Sequence, residues 1–126
     1  MSLVIETADG LLLVRRPDDD DDLPGVWGLP AASLANGESA EDAVRRAGRE
    51  KLGIEVRALE TVGSDGPMTD FCAEIVTGEP VAQRGGSNTQ YAELRWGELT
   101  DLVPGARQGS LCSRVLLRAR GVDWET

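Results

Sequence analysis

The sequence has 126 residues, 40% hydrophobic and 28% charged, and 22 Asp and Glu against 13 Lys and Arg give a net charge of −9. This length fits one domain spanning 1–126, the apolar runs fall far short of the ~20 residues that cross a bilayer, and the acidity opposes an extended nucleic-acid backbone as partner. The absence of histidine excludes Ser-His-Asp and Cys-His hydrolysis and the usual zinc ligand sets, which leaves carboxylates, lysine, tyrosine and hydroxyls as acid-base groups. At the N-terminus Glu6 and Asp9 interrupt any apolar stretch, so no secretory signal is read and the cytoplasm is the expected location. Cys72 and Cys112 stand outside any CxxC pair and read as small buried hydrophobes.

Val4-Ile5-Glu6-Thr7 and Leu11 to Arg16 flank Ala8-Asp9-Gly10, and Asp-Gly between two β runs predicts a hairpin. Pro17 to Gly25, with five successive aspartates between two prolines, predicts a solvated loop. It does not fit a calcium loop, because Leu23 stands where glycine is needed and no glutamate closes the set. Val26 to Pro30 reads as a short strand ended by proline, and Ala31 to Gly37 as a loop. A helix is expected over Ala40 to Leu52, with Ser39 and Asp42 as a capping box and Gly53 as its stop. Ile54 to Val62 and Asp70 to Val81 read as strands around a Gly63 to Pro67 loop. After a polar loop over Arg84 to Gln90 come a strand at Tyr91 to Trp96, a short helix at Glu98 to Leu102, and a longer helix at Ser110 to Ala119 closed by Gly121. Strands surrounding one central helix, with a helix at the end, make an α/β fold with a mixed sheet packed between helices.

On the central helix, Ala40, Ala43, Val44, Ala47 and Lys51 share one side, Asp42, Arg45, Arg46 and Arg49 lie opposite, and Glu50 sits at the edge. Alternating charges run along it at i, i+4 spacing, each exposed pair contributing about 0.2–0.5 kcal/mol.

LLLVRRP, PGVWGLPA, GESAEDAVRR, KLGIEV and ELRWGEL resemble, in order and spacing over nearly the whole chain, the Nudix family of hydrolases. That family carries the box G-x5-E-x7-R-E-U-x-E-E-x-G-U, with U aliphatic. Anchored on Gly53-Ile54, the box places Glu38 at its first glutamate and Arg46 at its arginine, a pair that ties loop to helix, and Glu50 at one metal-binding carboxylate. Ala32, Ala47, Gly48 and Lys51 depart from it. The resemblance implies a Nudix-like α/β/α sandwich, magnesium or manganese as cofactor if active, a phosphoanhydride or other small anion as partner, and often a homodimer. Ala47 offers no ligand, and Lys51 puts a positive charge where the cation would sit. Lys51 can instead bind a phosphate oxygen directly, forming an anion pocket with Arg15 and Arg16. Trp27 and Tyr91 are candidates for stacking on a planar group, or for core or rim positions. Two functions stay open: hydrolysis of a nucleoside diphosphate linked to another moiety, with Glu50 as remaining metal ligand and catalytic group, or a catalytically inactive domain binding a nucleotide, small anion or protein partner.

Overall fold

A computed structural model describes residues 1–20, 22–83 and 91–125, so the polar loop expected over Arg84 to Gln90 lies outside the described residues. The run Leu11 to Val14 organises the fold. It forms strand β3 (Gly10–Arg15), and its four apolar side chains are all at most 4% exposed. Leu12 and Val14 enter one core and Leu11 and Leu13 the other, which is how an unbroken apolar run is used in a strand covered on both faces. Each fully buried side chain of this kind contributes about 1.5–3 kcal/mol.

The expected hairpin forms, but its first run is divided. β1 (Ser2–Val4) pairs in parallel with β6 (Met68–Thr77), while β2 (Glu6–Thr7) pairs antiparallel with β3. The chain switches sheets at the buried Ile5, whose carbonyl accepts a hydrogen bond from the Leu12 amide. The first sheet runs β1-β6-β5, with β5 (Glu55–Asp65) antiparallel to β6. In the second, antiparallel sheet β3 carries β2 and β4 (Trp27–Gly28) along one course and also pairs with β7 (Glu93–Gly97). The first sheet is mixed, as expected, although the strands divide into two sheets.

Helix α1 (Ala40–Ala47) packs on β5, and α3 (Leu111–Ala119) packs on β5 and β6. Separate apolar clusters lie beneath them: Ala43, Val44, Ala47 and Leu52 with Leu12 and Val56, and Leu116 and Leu117 with Leu13 and Leu102. Helices and sheets thus form the layered α/β arrangement that alternating patterning implies.

Several boundaries differ from expectation, among them that of the strand read to Val81, which ends at Thr77. The segment Gly63 to Asp65 is strand, not loop, because β5 and β6, despite register shifts earlier along the pair, remain paired to Asp65 opposite Met68 and need only Gly66-Pro67 to turn. The short helix before the last one forms as a 3-10 turn (Leu99–Leu102) and runs on into α2 (Val103–Arg107). Pro104 is accommodated because proline in a first turn has no amide bond to lose there.

Candidate functional site

The site is set by the way the central helix ends. Ser39 caps α1, its Oγ accepting from the Asp42 amide at 3.1 Å, and the chain is helical through Leu52 as expected. At Gly48 the winding widens to a π turn (Gly48–Leu52), and Gly53 closes it in the left-handed region at φ 67°. A π turn advances each side chain by less than an α turn does. Lys51 and Leu52 therefore both reach the buried side, while Arg49 and Glu50 remain outside. Gly48 is required by contact: a β-carbon there would lie 2.7 Å from Val56 Cγ2 and 3.2 Å from the Ile54 carbonyl oxygen. Close approach to β5 is the reason for glycine inside this helix.

A cleft of about 870 Å³ opens between the end of this helix, the strand ends and the start of α3. Arg16, Arg46, Lys51 and Tyr91 line it on one side, and Phe71 and Leu111 are among its apolar walls. Lys51 is only 8% exposed, and its ammonium stands 5.6 Å from the centroid of the Tyr91 ring. Burial lowers the Lys51 pKa, Glu50 opposes this, and the charges of Arg16 and Arg46 add to the lowering. Tyr91 is itself held: its hydroxyl accepts from the Ala31 amide at 2.8 Å and donates to the Ala31 carbonyl at 3.2 Å. Burial pushes its pKa up. Trp27 lies elsewhere, half-buried beneath the Arg95 guanidinium 4.3 Å above its ring.

Glu38 and Arg46 form the tie that the box resemblance implied. Arg46 Nε donates to Glu38 Oε2 at 2.9 Å and Nη2 to Oε1 at 3.0 Å, and Nη2 also reaches the Ser33 carbonyl at 2.5 Å. Glu38 in turn accepts from the Ala35 amide at 3.0 Å. The guanidinium is the main reason the Glu38 carboxyl is held below its usual range. A bidentate pair of this geometry joins the loop before the helix to its second turn.

The remaining sequence candidates do not converge. Arg15 is absent from the cleft wall; it binds Asp18 at 3.0 Å and Glu93 at 2.8 Å. Arg16 reaches the cleft while one of its nitrogens donates to Asp20 Oδ1 at 2.9 Å. Glu50 is 43% exposed at its side chain and pairs with Arg46 at 3.3 Å. Glu41 pairs with Arg45. Asp18, Asp20, Glu38, Glu41 and Glu93 are each engaged by an arginine, and no group of three or more His, Cys, Asp or Glu is placed to hold a metal ion among the described residues. With Ala47 fully buried and Lys51 in the cleft wall, this donor set does not fit magnesium or manganese at the box positions.

Sequence reasoning missed Asp70. It is 0% exposed, accepts a 2.5 Å hydrogen bond from Ser2 Oγ at Oδ1, and has no partner at Oδ2 among the described residues. Burial raises its pKa to about 7, against the opposing effects of the Ser2 hydrogen bond and the N-terminal amine. Its neighbours Thr69, Phe71 and Cys112 line the cleft, so this acid lies behind its wall. At the start of a predicted strand it carried no sequence signal of burial.

The chain matches the model of the NUDIX domain over residues 1–114. It is 33% identical over 122 residues to the NAD-capped RNA hydrolase NudC of Pseudomonas aeruginosa, covering 92% of this chain and 41% of that protein. A NudC of Pseudomonas fluorescens is 37% identical over 110 residues, covering 82% and 37%. The chain therefore spans about two fifths of the length of these relatives. Among solved structures, a NUDIX hydrolase from Nitrosomonas europaea has a TM-score of 0.69 at 19% identity, covering 95% of this chain and 85% of that one. A MutT protein from Methanosarcina mazei Go1 has a TM-score of 0.66 at 17% identity, covering 95% and 90%. These structures share the fold.

Proposed function

This chain belongs to the NUDIX domain family, and from that premise we propose that its cleft binds a nucleoside diphosphate linked to another moiety, with the phosphates held directly by protein cations. The observation that carries this reading is the buried Lys51 in a cleft wall it shares with Arg16 and Arg46. Lysine and arginine hydrogen bonds to phosphate are charge-assisted, each contributing about 1.5–3 kcal/mol, and more where water is excluded. The apolar wall that includes Phe71 and Leu111 offers surface for the nucleoside.

In the family, magnesium or manganese holds the phosphates and activates water. The residues at positions 47 and 51 do not fit such an ion, and two unit charges of like sign 4 Å apart repel by about 4 kcal/mol at an effective dielectric of 20. Efficient metal-dependent hydrolysis is accordingly not part of this proposal. A second reading is favoured by the exposed Glu50 carboxylate beside the cation cluster: hydrolysis with a rearranged metal site in which Glu50 is the ligand. The relatives are NAD-capped RNA hydrolases, yet a net charge of −9 opposes a polynucleotide backbone, so the proposed ligand is the small phosphoanhydride.

The test is titration calorimetry with ADP-ribose, NAD and pyrophosphate in the presence of chelator, beside a turnover assay with magnesium or manganese. Binding in chelator that weakens at least about tenfold in Lys51→Ala is expected, the loss of one charge-assisted contact. Unchanged affinity in that variant refutes the reading. Turnover that needs metal and disappears in Glu50→Gln would establish the second one.

A further inference from the structure

Lys51 is the single lysine among the 13 Lys and Arg residues of the sequence. Amine and guanidinium bind phosphate alike, but only the amine becomes neutral within reach of physiological pH, and the neutral amine is a nucleophile. Lys51 is buried in the wall of the cleft, not solvated on a helix face. The charged and titratable groups around it include, among the described residues, Glu50 and Arg46 from the same helix, Arg16 from beyond the end of β3, and Tyr91 from the segment before β7. The two arginines disfavour a third positive charge and, in the same cleft wall, offer an anion its contacts.

We propose that Lys51 forms an imine with the aldehyde of a phosphorylated carbonyl compound whose phosphate is held by Arg16 and Arg46. The inference rests on the anion site proposed above. The ammonium first gives its proton to solvent, and the Nζ lone pair then adds to the carbonyl carbon. Both remaining amine hydrogens leave with the carbonyl oxygen as water, and a C=N bond replaces C=O without oxidation or reduction.

Pyridoxal 5′-phosphate is the probe, followed by borohydride, which reduces the imine to a stable secondary amine. Intact mass and peptide mapping locate the product. The expected result is one pyridoxyl group at Lys51, formed at least about tenfold faster near about pH 7.5 than on Nα-acetyl-lysine, as lowering an amine's pKa enlarges its neutral fraction. Pyrophosphate suppresses the label, pyridoxal without phosphate reacts more slowly, and Lys51→Arg loses it. Label confined to other positions, labelling at the rate of the free amino acid, or indifference to both pyrophosphate and the probe's phosphate overturns the proposal. Titration of pyrophosphate into unlabelled protein separates the two ideas. Pyrophosphate binding without imine overturns this inference alone, and no binding overturns the anion site with it.

Discussion

Replacing Asp70 with asparagine keeps an acceptor for the Ser2 hydroxyl and removes a titration from the interior. The carboxyl has a pKa of about 7 in the fold, raised by burial from 3.8. Below the lower value folded and unfolded chains both hold the proton. Between the two values the unfolded chain has lost it while the folded chain retains it, so stability falls as pH rises, and the loss levels off above the folded pKa. At about 1.36 kcal/mol per unit, the full loss approaches about 4 kcal/mol, and the part falling between about pH 5 and pH 8 is about 2–3 kcal/mol. Asparagine titrates nowhere, and the cost of leaving its amide without a partner, about 1–3 kcal/mol, is the same at every pH. The expected outcome is thus a difference in slope: relative to the parent, Asp70→Asn gains about 2–3 kcal/mol between about pH 5 and pH 8, whatever its offset. Urea unfolding at several pH values measures this. Parallel pH profiles for the two proteins would refute the assignment of a near-neutral buried acid, and a gain of the variant over the parent on acidification would refute its sign. Ser2→Ala removes a contact that favours the ionised form and should carry the loss on to higher pH than in the parent.

Gly48→Ala should destabilise by about 1–3 kcal/mol in the same unfolding assay, because overpacking against Val56 outweighs alanine's better helix propensity of about 1 kcal/mol. Asp20→Asn weakens the hold on Arg16 and should tighten pyrophosphate binding about threefold to tenfold by calorimetry; weaker binding would mean that the aspartate positions Arg16 for the ligand instead of competing with it. The lowered Lys51 pKa makes pyrophosphate affinity fall with rising pH earlier than an ordinary lysine would, and Lys51→Arg should flatten that fall over the same range.

Much of this arrangement could be read locally. Asp9-Gly10 marked a hairpin and Ser39 and Gly53 marked the limits of the central helix, while the tie between Glu38 and Arg46 was implied by the family resemblance. Each signal is a relation between residues fewer than about ten positions apart, enforced by backbone geometry or one hydrogen bond. The β run from Leu11 was likewise legible, whereas its coverage on both sides is a finding of the structure.

What the tertiary structure decided depends on partners far along the chain. Val4 and Glu6 were one β run in the sequence, and their separation into two sheets followed from where β6 and β3 stood. Lys51 carried the same letter whether solvated or buried; the π turn and the cleft wall determined which. Arg15 and Arg16 are adjacent, yet only Arg16 reaches the cleft, while Arg15 meets Glu93 from β7. Asp70 gained its environment only when β1 was laid beside β6. Local preferences set the elements, whereas burial and charge pairing arise from contacts between elements, and these decide the chemistry of a titratable side chain.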